Sequence, residues 1–173
     1  MRYTLVMRAC LTPAVLVLAV VVMPAAARAD LDLDTSVFRH KGLGLRLSVP
    51  EGWVPSEQTG YPSLILILAS VQTQATISLS AGTLGGRETL RDYVARNGRA
   101  LGAVKVRVIH TRPIAGQSAL WELAASTQRG PSTEIRQLYL AKGQTVLVLT
   151  LCCPPDLVNS FASDLHDLAR GLR

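Results

Sequence analysis

The sequence predicts an α+β domain in which two helices flank a central antiparallel sheet of about seven strands, in the order β-β-β-α-β-β-β-β-α. Segments 64–69 and 146–151 are almost continuously apolar, which a strand tolerates only when both of its faces are covered. Other segments alternate apolar and polar residues between short Gly- and Pro-containing connectors, as antiparallel hairpins do. Segments 87–101 and 154–172 carry apolar residues at helical spacing, so they supply the cover.

Residues 1–29 have the pattern of a secretory signal peptide. Arg2 and Arg8 precede an apolar run from Ala9 to Met23, and Ala27-Arg28-Ala29 gives the small-x-small pattern of a cleavage site. A permanent membrane anchor is the alternative, but the run is shorter than the ~20 residues that span a bilayer. We therefore expect cleavage after Ala29, a periplasmic or extracellular location, and no stable membrane insertion afterwards.

The processed chain has the size of one domain and an ordinary charge. It keeps 144 of the 173 residues, enough to bury a core without cross-links. Loss of Arg2, Arg8 and Arg28 leaves 15 basic and 12 acidic residues, a net charge of +3. This value suits solubility and gives no reason to expect a nucleic-acid partner. We expect a flexible acidic leader at 30–37 and a single domain at 38–173.

The first half of the domain contains three strands and a helix. Residues 43–49 alternate strictly, and Pro50-Glu51-Gly52-Trp53 stops that strand before a loop that runs through Tyr61. Residues 64–69 form the first continuously apolar strand, and 75–81 alternate again. The helix at 87–101 places Leu90, Tyr93, Val94 and Leu101 on one stripe, and Gly102 ends it.

The second half contains four strands and a closing helix. The strands are predicted at 104–109, 118–126, 133–141 and 145–152, with Gly-containing connectors between them. Pro154-Pro155-Asp156 opens the last helix, because proline and a carboxylate both suit a first turn. Its apolar stripe is Leu157, Phe161, Leu165, Leu168 and Leu172.

The segment from Gly44 to Trp53, reading Gly-Leu-Arg-Leu-Ser-Val-Pro-Glu-Gly-Trp after Phe38, resembles the opening of PsbP-like domains. These include the extrinsic photosystem II subunit, DcrB-like proteins and LpqN-like lipoproteins, and the predicted order of elements is similar to theirs. The resemblance covers about Phe38 to Leu172 and implies a non-enzymatic binding or accessory domain. It carries no catalytic residues. Cys10 stands at the start of the apolar run rather than after it, so the chain departs from the lipoprotein branches.

Cys152 and Cys153 are the only cysteines of the processed chain. Adjacent Cα atoms lie ~3.8 Å apart, closer than the usual disulfide range of ~4.4–6.8 Å. In a continuous strand the two side chains point to opposite faces, so they neither bridge nor share a metal. Burial of both thiols is one interpretation; a redox or metal role and a vicinal disulfide remain the alternatives.

The sequence contains no motif that specifies an enzyme, a metal or a cofactor. His40, His110 and His166 match no metal-ligand spacing, and no Gly-x-Ser-x-Gly, dinucleotide or phosphate-loop motif occurs. Glu122 lies inside a predicted strand and has no partner acid that the sequence identifies. We expect no catalytic residues, cofactor or metal.

Two groups of residues are candidates for binding. Trp53 and Tyr61 flank the long loop and either line a ligand cleft or close the end of the sheet. The first helix carries Arg87, Arg91, Arg96 and Arg99 against Glu88 and Asp92. This surface is either a docking site for an acidic partner or anionic lipid, with Arg87, Arg91 and Arg99 as its candidate residues, or a solvated face.

The main hypothesis is an exported binding domain whose partner is an envelope protein or a small apolar ligand. One alternative is an assembly or chaperone-like factor that uses an open sheet edge. The other is an exported enzyme whose site is assembled by folding, with Glu122, His110 or Cys153 as candidate groups.

Overall fold

The computed structural model describes residues 29–32, 36–56, 63–100, 105–111, 120–127 and 133–172. For 29–32, 105–111 and 120–127 the description is of the main chain and its register. Tyr61 and residues 1–28 of the predicted signal peptide lie outside these ranges. Within them, no helix is both long enough and apolar enough to cross a bilayer.

A seven-stranded antiparallel sheet forms the centre of the domain, in the spatial order β4-β5-β6-β10-β9-β8-β7. The predicted fold class is therefore confirmed. The last strand in the chain, β10, lies between β6 and β9 and joins the two halves of the sheet. The strands are β4 (Trp53–Ser56), β5 (Leu64–Ser70), β6 (Thr76–Thr83), β7 (Lys105–Thr111), β8 (Leu120–Thr127), β9 (Thr133–Lys142) and β10 (Thr145–Cys153).

A smaller antiparallel sheet precedes the central one. Its strands are β1 (Ala29–Asp32), β2 (Val37–His40) and β3 (Leu45–Ser48), in that spatial order. A 3-10 turn at Lys41–Leu43 joins β2 to β3, and Gly44 follows it with φ of +60°, a conformation that glycine adopts without strain. Phe38, Leu45 and Leu47 are buried in the main core, so this sheet covers part of one face of the central sheet.

The two helices cover opposite faces of the central sheet, as the two apolar strands require. Helix α2 (Val158–Gly171) packs with the small sheet against leucines such as Leu138, Leu149 and Leu151. Helix α1 (Leu90–Ala100) packs against the other face, on Tyr139, Val146 and Val148. Alternate residues of β10 thus enter different cores, which explains why its sequence is apolar without interruption.

The order of elements before α1 differs from the prediction, because the described residues before this helix form six strands rather than three. The predicted strand at 43–49 belongs to the small sheet as β3. The edge place in the central sheet is taken by β4, which lies in the segment predicted as a loop. Pro55 is acceptable there because only one side of an edge strand needs its N–H groups for pairing.

Parts of the expected flexible leader at 30–37 lie in strands of the small sheet. Residues Ala29–Asp32 form β1, which pairs with β2 in the register Asp30↔Arg39, and Val37 is already part of β2. Alternation of Asp and Leu in this segment suits a strand, although its acidity indicated a mobile leader.

Both helices are shorter than predicted. Helix α1 begins at Leu90 rather than at residue 87, and α2 begins at Val158, because residues 155–157 form a turn. The buried stripe of α2 contains Val158 and Ala169 besides Leu165 and Leu168. Leu172 is buried directly after the helix, while Leu157 and Phe161 are only partly buried.

Candidate functional site

Helix α1 begins with a reciprocal hydrogen-bond cap. The main-chain N–H of Asp92 donates to Thr89 Oγ1 at 3.2 Å, and the main-chain N–H of Thr89 donates to Asp92 Oδ2 at 3.2 Å. The Thr89 hydroxyl also donates to Asp92 Oδ2 at 2.6 Å. Two N–H groups that a helix start leaves unpaired are satisfied in this way. The hydrogen bonds from Thr89 lower the pKa of the Asp92 carboxyl, and nearby Arg91 adds a smaller effect in the same direction.

The other acid of this region, Glu88, is held by Arg96. The guanidinium donates two hydrogen bonds to the carboxylate, at 2.9 and 3.1 Å, and the main-chain N–H of Gly85 adds a third at 2.9 Å. These contacts lower the pKa of Glu88, with Arg96 the largest cause. Arg96 also stacks over Tyr93, with its guanidinium carbon 4.8 Å from the ring centroid. Both acids therefore serve the structure of the helix start.

The three predicted arginines, Arg87, Arg91 and Arg99, remain exposed, and we call them the arginine row. Arg91 and Arg99 lie eight residues apart, about 12 Å along the helix axis, and exposed Ala95 lies between them. None of the three makes a salt bridge with another residue of the described ranges. Because Glu88 and Asp92 are engaged elsewhere, this face presents guanidinium groups that are geometrically suited to carboxylates.

Beneath α1, a chain of hydrogen bonds crosses the sheet. The side-chain amide of Asn97 donates to the Tyr139 hydroxyl at 2.7 Å, and that hydroxyl donates to Gln137 Oε1 at 2.6 Å. Gln137 Nε2 in turn donates to Thr150 Oγ1 at 2.9 Å. Burial raises the pKa of Tyr139 to about 12. The buried Tyr139 and Gln137 thus satisfy each other and position α1 on the sheet.

Tyr93 fixes the rotation of α1 about its own axis. Its hydroxyl lies against Gly82 of β6, where a Cβ atom would overlap it, and its ring meets Tyr139 edge-on with centroids 6.2 Å apart. Tyr93 therefore marks the flank of α1 that faces β6. Burial raises the pKa of Tyr93. The sequence predicted the apolar stripe of the helix but not the role of Gly82, because nothing in one strand identifies which helix crosses it.

Trp53 lies in a closed contact at the start of β4. It is buried, its indole Nε1–H donates to Asp164 Oδ2 at 2.8 Å, and its ring meets Phe161 edge-on at 5.2 Å. The structure thus places Trp53 between the edge strand and α2. Tyr61, its predicted companion, lies outside the described residues.

The two cysteines enter opposite sides of the sheet. Cys153 is buried in the core beneath α2, and Cys152, the adjacent residue of the same strand, is half-buried. Burial is the largest cause that raises the pKa of each thiol. A thiol with a raised pKa is a poor nucleophile at neutral pH.

The remaining candidate residues occupy separate elements. His40 Nδ1 accepts a hydrogen bond from the Leu43 N–H at 3.2 Å and caps the 3-10 turn. His166 lies in α2, His110 lies in β7 in register with Trp121, and Glu122 lies in β8 in register with Leu138. In the part of the chain that the structure describes, no group of three His, Cys, Asp or Glu residues is arranged to hold a metal ion.

Comparisons with known proteins identify the fold. Solved structures similar to this chain include cyanobacterial PsbP (CyanoP) from Synechocystis sp. PCC 6803, at 12% identity and a TM-score of 0.59, covering 87% of this chain and 94% of that one. The chain has a PsbP-like fold. LpqN of Mycobacterium tuberculosis, a protein involved in cell envelope biogenesis, is similar at 15% identity and a TM-score of 0.56, covering 74% of this chain and 81% of that one.

A third structure with this PsbP-like fold is PA94 of Pseudomonas aeruginosa, a protein of unknown function. It is similar at 22% identity and a TM-score of 0.51, covering 74% of this chain and 90% of that one. No family model matches the sequence. No curated protein matches it significantly. The resemblance predicted from Gly44 to Trp53 is confirmed at the level of the fold.

Proposed function

We propose that this chain is an exported, non-catalytic accessory domain that docks on an acidic surface of an envelope protein through the arginine row. The observation that carries the proposal is the division of charge on α1. Both nearby acids are bound within the helix start, by Thr89 and by Arg96, while Arg87, Arg91 and Arg99 are exposed. A solvated helix face gains stability when its acids pair with its arginines. Among the described residues of α1 and the turn before it, that pairing is used once, between Arg96 and Glu88, and the three guanidinium groups of the arginine row are exposed for a partner.

The rigidity of α1 supports this proposal. Asn97 binds the sheet through Tyr139, and Tyr93 lies against Gly82, so the helix presents its arginines from a fixed position. A preorganised surface loses less conformational entropy when it binds. Arginine rather than lysine also favours bidentate contact with carboxylates.

Two solved structures with this fold favour the accessory assignment over the catalytic one. Cyanobacterial PsbP and the envelope-biogenesis protein LpqN share the architecture at low identity. The two thiols also favour a non-catalytic domain. Cys152 and Cys153 lie on opposite sides of the sheet, and the pKa of each is raised, which makes both poor nucleophiles at neutral pH.

A paired-variant capture experiment tests the docking surface. The double variant R91Q/R99Q removes two charges from the arginine row. The double variant R39Q/R46Q removes two exposed charges from the small sheet, where Arg39 and Arg46 lie in register. Both variants should unfold at the temperature of the wild type, because all four side chains are exposed.

Each protein is purified as the cell processes it, immobilised, and incubated with the solubilised envelope fraction. We expect an acidic protein that wild type and R39Q/R46Q retain, and that R91Q/R99Q retains at least tenfold less. Equal capture by all three proteins, or equal loss in both variants, would contradict the proposal. The mass of the purified protein tests export separately, because cleavage after Ala29 removes residues 1–29.

A further inference from the structure

We infer that the acidic partner binds as an extended segment, which adds as an eighth strand to the outer edge of β7 beside the arginine row. This inference deepens the proposed function and rests on it. It identifies the form of the partner, an extended chain with acidic residues at alternate positions, rather than only its charge.

The two edges of the central sheet differ in a way that favours β7. The edge strand β4 has only four residues and contains Pro55, and short strands and proline are devices that block pairing with another chain. The opposite edge strand β7 has seven residues, Lys105–Thr111, and contains no proline. All seven pair with β8, and no described strand pairs with the other side of β7.

The antiparallel pattern leaves binding groups along that outer side. In such a ladder the N–H and C=O groups of alternate residues point toward one neighbour and the remainder point away. A seven-residue edge therefore offers three or four residues for main-chain pairing. Extended peptides use edges of this kind, with main-chain hydrogen bonds for affinity and alternate side chains for specificity.

The charge of this edge favours an acidic segment over a basic one. The sequence of β7 carries Lys105 and Arg107 and contains no Asp or Glu, and the register with β8 and β9 places both positions on the face of the sheet opposite Tyr139 and α1. Basic residues on an edge strand discourage pairing with a second copy of the same strand, because like charges then meet. The positive charge of Lys105 and Arg107 instead favours a partner strand that carries acidic residues.

The rotation of α1 turns Arg91, one member of the arginine row, toward the same edge. Tyr93 marks the flank that faces β6, through its contact with Gly82. Successive helix residues are 100° apart, so Arg91 lies about 160° around the axis from Tyr93. The order β6-β10-β9-β8-β7 then places Arg91 on the flank that faces β8 and β7. Arg99 lies two turns further along, on the outer face.

These placements define what an added strand would meet. Its main chain would pair with β7, and every second side chain would point to the side of the sheet that α1 covers. Carboxylates at those positions would approach Arg91, while the remaining side chains of the added strand would lie on the face that carries positions 105 and 107 of β7.

Labelled peptides test the inference directly. The parent probe is an N-acetylated, fluorescein-labelled octapeptide that alternates Glu and Thr. Two analogues carry methyl groups on the main-chain nitrogens of the odd or of the even residues. Only one of these sets donates to β7 in an added strand, whereas the other faces solvent. Binding is measured by fluorescence anisotropy with wild type, R91Q/R99Q and R39Q/R46Q.

We expect one methylated analogue to bind at least tenfold more weakly than the parent and the other to bind like it. R91Q/R99Q should weaken parent binding about tenfold, and R39Q/R46Q should leave it unchanged. If both analogues bind like the parent while R91Q/R99Q binds weakly, the strand-addition inference is wrong and the proposed docking surface stands. Binding that R91Q/R99Q leaves unchanged contradicts the docking surface, and no detectable peptide binding contradicts strand addition.

Discussion

The indole Nε1–H of Trp53 donates a 2.8 Å hydrogen bond to the carboxylate of Asp164, a residue 111 positions later in the chain. This contact ties the edge strand β4 to helix α2, and Phe161 supports it with an edge-on ring contact. It is the structural reason why a short, proline-containing segment is held as a strand. Because Trp53 is buried, its contribution is to the stability of the fold.

Replacement of Trp53 by Phe should lower the free energy of unfolding by about 1.5–3 kcal/mol, the range for hydrogen bonds to charged groups. The smaller ring also leaves part of the buried Trp53 site unfilled, which adds to the loss, so Asp164→Asn is the variant that reports on the hydrogen bond alone. Urea unfolding followed by circular dichroism measures it. Asp164→Asn keeps an oxygen acceptor and should lose less; a W53F protein as stable as wild type would refute this role.

Gly82→Ala should lower stability by about 1–3 kcal/mol, because the new Cβ overlaps the Tyr93 hydroxyl and the ring is held in place by Arg96 and Tyr139. Tyr93→Phe removes the overlapping oxygen. The cost of Gly82→Ala should therefore be smaller in the Tyr93→Phe background, and a double-mutant cycle measures the difference. Equal costs in both backgrounds would show that the close approach does not determine the effect.

Tyr139→Phe should lower stability at pH 7 by about 1–3 kcal/mol, because Asn97 and Gln137 lose their shared partner. The pKa of Tyr139 in the folded protein is about 12, above the usual value near 10. The protonated form is therefore favoured by folding. This contribution is complete below pH 10 and is lost between about pH 10 and 12 as the unfolded chain ionises first.

The pH dependence of stability is measured as the difference between wild type and Tyr139→Phe, because the thiols of Cys152 and Cys153 titrate at high pH in both proteins. Wild type should lose more stability than Tyr139→Phe between pH 10 and 12, in urea titrations at several pH values. If the two proteins lose the same stability between pH 10 and 12, burial of the Tyr139 hydroxyl does not contribute to the pH dependence of folding.

The two thiols should react slowly and at different rates with a thiol reagent. Burial raises the pKa of both, and Cys153 is almost fully enclosed whereas Cys152 is half-buried. At pH 7.5 we expect Cys152 to be labelled first and Cys153 only as the protein opens, with Cys152→Ser and Cys153→Ser assigning the phases. Two equally fast thiols would contradict the placement of Cys153 in the core.

The central architecture could be predicted because burial leaves a direct pattern in the sequence. Strands β5 and β10 are apolar at nearly every position, and the leucines of α2 recur at helical spacing. These patterns are local, so they identify which segments are strands or helices and that both faces of the sheet are covered.

Other features depend on contacts between distant segments and leave no local pattern. The four residues of β4 are too few to show alternation, and Asp164 determines their position from the other end of the chain. Gln137 is buried although its strand is half polar, because Tyr139 and Thr150 satisfy it. The arginine row was visible in the sequence, whereas the engagement of Glu88 and Asp92 required coordinates.

The position of β10 has a consequence for the order in which the chain acquires structure. Nine residues near the carboxyl end, Thr145–Cys153, pair with β6 on one side and β9 on the other. Until they emerge from the ribosome or a translocation pore, β4–β6 and β7–β9 share no main-chain pairing and, within the described residues, touch only through α1. Nascent chains arrested before residue 145 should therefore be digested rapidly by protease, and resistance should appear abruptly once β10 is free to insert.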